Sequence, residues 1–445
     1  MQRVKSIRGG SGGLALIGLL AFLSTSLLFT VIISRPDVLA KIADFKQNTQ
    51  STLSNVLFDK ADDIKTTVTV PESSASPTLV TLPEASASAT PPPEPTPAPK
   101  PVEVPKPPEK PAGAPSAKGQ VFYGRGTPNN KVGMYIHNIV DDIKASAKLI
   151  NSNGGDWGYV LLTMDITDRN KSDWQDMFDA AAKSHLTPVI QLFNNGKCDP
   201  KEMDFNDLAK MLNSLKWSTK HRYISVFNEV NAKDYWCEKI APNEYAQALD
   251  KAINAFKNKS DKFFIIPAAF NSSARTQDRY LSEDMYLIAM NKAVPGIFTK
   301  IDGWATHSYP HPNFSGDINN LPANYGARDT INNYTWELSL LRNNFGVGNL
   351  PVFITETGWL HREGQDGCVQ YSQAGLLSAA TTSARFKDAY VNYWLADPRV
   401  VAITPFIFRS SDPCAAGFAW QKKDGSWYPQ AEMLMAIPKT AGSSN

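Results

Sequence analysis

Two stretches of the sequence decide the fold: residues 223–231, which read YISVFNEVN, and residues 350–359, which read LPVFITETGW. In each stretch a short apolar run ends in a glutamate, Glu229 in the first and Glu356 in the second. Continuously apolar runs are typical of parallel strands that are covered by helices. A carboxylate at the end of a buried strand is costly to desolvate unless it is paired, hydrogen-bonded or exposed in a cleft. We therefore expect both strands to end at a polar cleft.

Similar apolar runs recur through the C-terminal part of the chain. They lie at 132–136, 159–163, 188–193, 223–227, 263–268, 301–306, 351–355 and 400–408, with helical periodicity between them, for example at 173–184, 205–215 and 244–257. Alternating strands and helices imply parallel pairing with crossover helices, and eight such units in roughly 310 residues predict an α/β fold of the (β/α)8 TIM-barrel type. A doubly wound open sheet is the alternative. It would normally carry a Gly-rich turn after its first strand, and no such turn follows the first run.

The N-terminus carries a membrane signal. Arg3, Lys5 and Arg8 precede an uncharged, mainly apolar run at residues 13–34, and about 20 apolar residues are enough to span a bilayer. We predict a cytoplasmic basic tail over 1–12 and a transmembrane signal-anchor over 13–34, with the remainder of the chain extracytoplasmic. The alternative is a signal peptide cleaved near residues 38–40, after which the protein is secreted.

Two further segments separate this signal from the globular region. Residues 35–70 are predicted to form a juxtamembrane stalk, either a short helix or a loosely structured segment. Residues 71–118 form a Pro-rich linker, which holds 15 of the 31 prolines and should be extended and semi-rigid. The globular domain then occupies residues 119–445. With 45 basic and 43 acidic side chains and no basic stripe, the chain is a poor candidate for binding nucleic acid.

The two glutamates suggest a chemistry. In a barrel the functional residues follow the carboxyl ends of the strands, and strands four and seven lie on opposite sides of the ring. Glu229 and Glu356 can therefore face each other across the mouth, and Asn194, just past the third run, should line it as well. Two opposed carboxyl groups are what glycoside hydrolysis needs: one acid for the leaving oxygen and one carboxylate that attacks or activates water.

Three motifs carry a resemblance to a known group. VFNEVN on strand four, WATHSYP on strand six and FITETGW on strand seven resemble the motifs of the retaining (β/α)8-barrel glycoside hydrolases of clan A, which include cellulases and β-1,3-glucanases. The resemblance covers roughly residues 130–435. It implies a double displacement on a β-linked poly- or oligosaccharide, with Glu229 as acid/base and Glu356 as nucleophile. A raised pKa for Glu229 and a low pKa for Glu356 would suit these roles, and we expect no cofactor.

The resemblance also implies substrate-binding residues. Asn228 should contact the sugar 2-hydroxyl, Tyr309 should hydrogen-bond the nucleophile, and His307 should line the same subsite. Trp359 and Trp420 are predicted as platforms on which a sugar ring stacks, with burial in the core as the alternative for each.

A metal site is not expected. His307 and His311 have the i, i+4 spacing that binds zinc on a helix. Pro310 and Pro312 flank His311, however, so that segment should not be helical.

The four cysteines fall after neighbouring predicted strands. Cys198 follows strand three and Cys237 follows strand four, while Cys368 follows strand seven and Cys414 follows strand eight. We predict Cys198–Cys237 and Cys368–Cys414, one of three possible connectivities, in the oxidising setting outside the membrane. Free buried cysteines are the alternative.

Two other functions remain open at this point. One is a non-catalytic glycan-binding protein on the same fold, which would have no need of both glutamates. The other is a transglycosylase, which uses the same two glutamates but passes the sugar to another sugar instead of to water.

Overall fold

The structure, a computed structural model, describes residues 129–368, 370–371 and 376–444. The predicted basic tail, anchor, stalk and linker lie outside the described residues, as do residues 119–128 of the predicted globular domain. Within the described part, no helix is both long enough and apolar enough to cross a membrane.

Strands and α-helices alternate along the described residues. The strands are β1 Gly133–Tyr135, β2 Gly158–Asp165, β3 Leu186–Phe193, β4 Arg222–Asn228, β5 Phe263–Ala269, β6 Trp304–His307, β7 Val352–Glu356 and β8 Val400–Ile403. The helices are α1 Val140–Ile150, α2 Lys171–Lys183, α3 Phe205–Asn213, α4 Pro242–Lys259, α5 Glu283–Ala293, α6 Tyr334–Phe345, α7 Ala379–Asp388 and α8 Pro429–Ala436. One helix follows each strand, as the apolar periodicity predicts.

The strands form a closed ring. β1 to β5 pair in sequence order and β6 to β8 pair likewise, all in parallel. The backbone N–H of Asp302, just before β6, donates to the carbonyl of Ile265 on β5 at 2.9 Å. The N–H of Ile403 on β8 donates to the carbonyl of Lys131, just before β1, also at 2.9 Å. The (β/α)8 barrel is therefore confirmed, and the open sheet is excluded.

The last strand is shorter than the sequence suggests. The apolar run extends to residue 408, whereas β8 ends at Ile403. Pro405 has no N–H for a strand ladder. The next N–H groups turn to other partners: Phe406 donates to the carbonyl of Thr357, and Phe408 donates to that of Tyr135. This segment is thus no longer a regular strand, although it stays hydrogen-bonded to β1 and to the residue that follows β7.

The core has two layers, and the strands separate them. One layer fills the barrel interior and includes Tyr159, Leu161 and Phe353. The other packs strands against helices and includes Val160 and Leu162. Neighbouring residues of one strand thus enter different layers, and both strand faces are buried. This explains why the strands are continuously apolar in sequence.

Both predicted disulfides are present. Cys198 is bonded to Cys237 and Cys368 to Cys414. Each bond joins two loops that follow neighbouring strands, on the side of the barrel where the strands end. Cross-links between such loops restrict their separation and stabilise the rim of the mouth.

The first residue of β2 has no room for a side chain. A Cβ at Gly158 would overlap the Ile150 side chain and the Val132 carbonyl oxygen. We expect Gly158→Ala to lower the free energy of unfolding by about 1–3 kcal/mol, since overpacking displaces a helix and a strand. Urea unfolding of the full chain, followed by tryptophan fluorescence, measures this change.

The matched control for this substitution is Gly326→Ala. A Cβ at Gly326 would meet no atom within 4 Å, so the change should stay within about 0.5 kcal/mol. Equal unfolding midpoints for both variants would contradict the close approach at Gly158.

Candidate active site

The end of β4 departs from regular strand geometry. Val226 and Phe227 are neighbours, yet both pack in the layer between strands and helices. Regular alternation would send them to opposite faces. Phe227 has φ 77°, and this left-handed conformation lets the following residue, Asn228, turn into the barrel. There Asn228 Oδ1 accepts a hydrogen bond from Gln191 Nε2 of β3 at 2.6 Å.

The end of β7 carries a bulge. Thr306 of β6 pairs with Ile354, but the next residue, His307, pairs with Glu356, so Thr355 is an extra residue on β7. A bulge shifts the side-chain alternation by one residue and often re-aims a side chain beside an active site. Glu356 consequently points to the same side as His307, into the mouth of the barrel.

The His307 ring joins the two glutamates. Its Nδ1 lies 2.9 Å from Glu229 Oε1, and its Nε2 lies 3.6 Å from Glu356 Oε1. The side chain of His307 is 1% exposed, and those of Glu229 and Glu356 are 16% and 13% exposed. The structure therefore brings both predicted carboxyl groups together across one imidazole ring, each with limited access to solvent.

Tyr309 contacts the second glutamate directly. Its hydroxyl donates to Glu356 Oε2 at 3.0 Å. Burial and the negative charge of Glu356 raise the pKa of Tyr309 well above its ordinary value. The hydroxyl therefore stays protonated and remains a hydrogen-bond donor to the carboxylate.

The electrostatics of Glu356 differ from the expectation of a low pKa. Burial raises the pKa of Glu356 above its ordinary value; the His307 imidazole opposes this change, and the Glu229 carboxyl adds to it. Hydrogen bonds from Tyr309 and Gln191 also favour the ionised form. The expected low pKa was wrong because the cost of desolvation exceeds the gain from these donors.

Burial and the same carboxyl charges also change the pKa of the His307 imidazole. Burial alone would lower the pKa of His307, but the Glu356 and Glu229 carboxylates raise it above its ordinary value. A proton on this ring lies between two negative charges and reduces their repulsion.

A buried polar network between β6 and α6 holds β6 in place. Asn333, which precedes α6, donates from Nδ2 to the His307 carbonyl at 3.1 Å and accepts at Oδ1 from Ser308 Oγ at 2.6 Å. Glu337 of α6 accepts from Trp304 Nε1 at 2.9 Å, and burial raises its pKa to about 7. Satisfied buried networks of this kind make a unique local geometry rigid.

Two predicted sugar platforms are buried. Trp359 is 5% exposed, and its Nε1 donates to the carbonyl of Gly316 at 2.8 Å. Trp420 is 2% exposed and packs edge-to-face on Phe386, with ring centroids 4.7 Å apart. Stacking requires a ring face that is open to a ligand, so the platform role was wrong for both residues.

Asn194 lies at the mouth, and its side chain hydrogen-bonds to other residues of the protein. Its Nδ2 donates to the carbonyl of Tyr235 at 2.8 Å, and its Oδ1 accepts from the N–H of Gly196 at 3.1 Å. The side chain thus holds two loops together, and its contact with substrate stays a prediction.

The structure adds residues that the sequence reasoning missed. Gln191 is 1% exposed and touches both Asn228 and Glu356. Tyr135 and Tyr235 are half-buried; burial raises the pKa of each, and the charge of Glu356 raises it further. A signal existed for Gln191, because it is a polar residue inside an otherwise apolar strand. The site residues expected from the sequence lie at or beyond strand ends, whereas Gln191 lies within β3.

The residues that the structure describes include no group of three or more His, Cys, Asp or Glu side chains that could hold a metal ion. His311 instead packs against Phe314, with ring centroids 5.3 Å apart.

Comparisons with known proteins find similarity in structure. No family model and no curated protein matches the chain. A family 39 glycoside hydrolase from the gut symbiont Bacteroides cellulosilyticus WH2 is 14% identical with a TM-score of 0.47; the match covers 70% of this chain and 64% of that one. A GH128 (subgroup II) endo-β-1,3-glucanase from Pseudomonas viridiflava is 15% identical with a TM-score of 0.45, covering 70% and 100%.

A fungal β-1,4-galactanase is also similar, at 12% identity and a TM-score of 0.45, with 70% of this chain and 95% of that chain covered. Each of these three solved structures is a carbohydrate-cleaving enzyme. The chain spans only about 64% of the length of the family 39 protein. Likeness at this level does not transfer an activity or a substrate.

The hydrogen bond from Tyr309 generates a prediction for Glu356. Tyr309→Phe removes a donor that favours the ionised carboxylate, so the pKa of Glu356 should rise further. Carboxyl-¹³C labelling of glutamate, with the Glu356 resonance assigned from Glu356→Gln, allows the titration to be followed by NMR. Tyr393→Phe, whose hydroxyl lies 3.5 Å from Asn319, is the control and should leave it unchanged. An unaltered Glu356 titration in Tyr309→Phe would contradict the assigned hydrogen bond.

Proposed function

We propose that this chain is a retaining glycoside hydrolase that cleaves a β-linked poly- or oligosaccharide by double displacement. Glu229 acts as the acid/base and Glu356 as the nucleophile. The observation that supports this most directly is the His307 ring, which contacts both carboxyl groups at the mouth of the barrel. Two carboxyl groups that flank one bond are the minimum machinery for this reaction.

In the first step the Glu356 carboxylate attacks the anomeric carbon, and the protonated Glu229 gives its proton to the departing oxygen. The bond to the leaving sugar breaks as the ester bond to Glu356 forms. In the second step Glu229 takes a proton from water, and the water oxygen displaces Glu356 from the anomeric carbon. Both carboxyl groups then return to their initial states.

The neighbouring residues are suited to these steps. Tyr309 donates to Glu356 Oε2 and thereby fixes the orientation of the carboxylate. Gln191 donates a hydrogen bond to Asn228 Oδ1. The Asn228 amide nitrogen is therefore the atom that donates to a sugar hydroxyl. His307 contacts Glu229 through Nδ1 and can hold that carboxyl in place while it exchanges its proton.

We place the activity outside the cytoplasmic membrane, with the chain anchored by residues 13–34. The basic residues before this run and the two disulfides support that location, since disulfides persist in oxidising compartments. The Pro-rich linker would hold the barrel away from the membrane surface.

Substitution of the two glutamates tests the proposal on the full chain, with β-1,3- and β-1,4-gluco-oligosaccharides as substrates. Glu356→Gln should abolish turnover, because an amide cannot form the glycosyl ester. Glu229→Ala should lower kcat by about 10²–10⁴-fold and be partly rescued by azide, which attacks the intermediate without needing a general base. Glu202→Gln, an exposed glutamate beyond β3, is the matched control and should retain full activity.

The products separate the possible outcomes. New reducing ends alone indicate hydrolysis, and new, longer oligosaccharides indicate a transglycosylase. Binding without turnover in the unaltered chain indicates a non-catalytic glycan-binding protein. Normal rates in both glutamate variants, with circular dichroism showing intact folding, would disprove the site assignment.

A further inference from the structure

The loop after β6 is held in an unusual conformation close to Glu356. Asn313 and Phe314 are successive non-glycine residues with φ of 49° and 55°. Left-handed backbone at such residues costs on the order of 1–3 kcal/mol each and persists only where the surroundings impose it. Strain of this kind is concentrated at functional sites, so the side chains that the loop presents are candidates for a role.

The surroundings do impose this conformation. The Trp359 indole N–H donates to the Gly316 carbonyl at 2.8 Å, and the Leu360 N–H donates to the Phe314 carbonyl at 3.0 Å. The Arg385 guanidinium of α7 also donates to the carbonyls of Ser315 and Gly316. Two donors that follow β7 and one on α7 thus hold the loop in place.

The loop carries an aromatic ring to the edge of the catalytic cleft. Phe314 packs edge-to-face on Tyr309, with centroids 5.0 Å apart and an interplanar angle of 79°. It packs similarly on Phe418, at 5.3 Å and 83°. Tyr309 in turn donates to Glu356, so Phe314 lies one ring away from the proposed nucleophile.

Phe314 is only half-buried, as are the Tyr309, His311 and Tyr371 rings that contact it. Phe418 is 6% exposed and Trp359 is 5% exposed, whereas Phe314 is half-buried and belongs to neither core layer. The rings of Tyr309, His311, Tyr371 and Phe418 all contact Phe314, and together they fix its orientation. A rigid, partly exposed aromatic ring beside a carbohydrate-cleaving centre suits contact with the apolar C–H face of a pyranose.

We propose that Phe314 forms a second sugar subsite, which binds the unit next to the cleaved linkage in a β-linked oligosaccharide. This inference rests on the proposed glycosidase function and extends it to the length of the substrate. Chains that reach Phe314 bind more tightly than substrates confined to the catalytic centre. Trp359 acts on sugar binding indirectly, as the anchor of the loop that presents Phe314.

Kinetics on the full chain test the subsite. The probes are β-1,3- and β-1,4-gluco-oligosaccharides of two to six units and p-nitrophenyl β-glucoside. In Phe314→Ala, KM for the hexasaccharide of the cleaved series should rise about tenfold, equivalent to about 1.4 kcal/mol of binding free energy. The kcat for that substrate and the KM for the aryl glucoside should each stay within twofold. Phe314→Tyr, which keeps the ring, should restore the lower KM.

Two further variants control for the fold and the loop. Trp157→Ala removes a half-buried ring that stacks on His185 at the opposite end of the barrel, and it should leave KM unchanged at every chain length. Trp359→Phe keeps an aromatic ring but loses the donor to Gly316, and it should raise KM for the hexasaccharide by a smaller factor than Phe314→Ala.

The outcomes distinguish this inference from the function on which it rests. Cleavage of the hexasaccharide with the same KM in Phe314→Ala would refute the subsite and leave the glycosidase standing. An equal rise of KM for the hexasaccharide and the aryl glucoside would also refute it, since that indicates a general distortion. If the unaltered chain cleaves nothing, calorimetry with the hexasaccharide decides: weaker binding to Phe314→Ala supports the subsite, and unchanged or undetectable binding rejects it.

Discussion

A single imidazole ring between two poorly solvated carboxyl groups is the interaction on which the mouth of this barrel depends. Removing a carboxylate from water costs several kcal/mol, and two carboxylates close together also repel each other. His307 offsets both costs, because it contacts Glu229 at 2.9 Å and lies 3.6 Å from Glu356. The two carboxylates raise the pKa of His307, whereas burial and the Glu229 charge raise the pKa of Glu356 against the opposing effect of the imidazole.

The arrangement exists because two strands abandon regular geometry where they end. Phe227 adopts a positive φ on β4, and Thr355 forms a bulge on β7. Without these irregularities, the period of two along each strand would direct Asn228 and Glu356 differently, towards the helix layer. The ring of strands and Asn333 hold these irregular strand ends in place. The Asn333 side chain does so by donating a hydrogen bond to the His307 carbonyl.

Some aromatic residues around the cleft are buried and pack behind it, whereas others stay partly exposed. Trp359 and Trp420 are large enough to look like sugar platforms in sequence, but both complete the packing behind the mouth. The indole N–H of a buried tryptophan needs an acceptor, and the Gly316 carbonyl provides it for Trp359. That bond ties the protein core to the loop that carries Phe314, an aromatic ring that stays partly exposed.

The sequence by itself determined the barrel, because apolar runs and helical periodicity are local patterns that persist through all eight units. It also predicted that Glu229 and Glu356 end opposite strands, and it favoured Cys198–Cys237 among the possible pairings, since strand order makes the following loops neighbours. The tertiary structure alone decided the direction of the Glu356 pKa, the involvement of Gln191 and the burial of Trp359 and Trp420. Desolvation, bulges and exposure depend on contacts between residues far apart in the chain, and no local pattern records them.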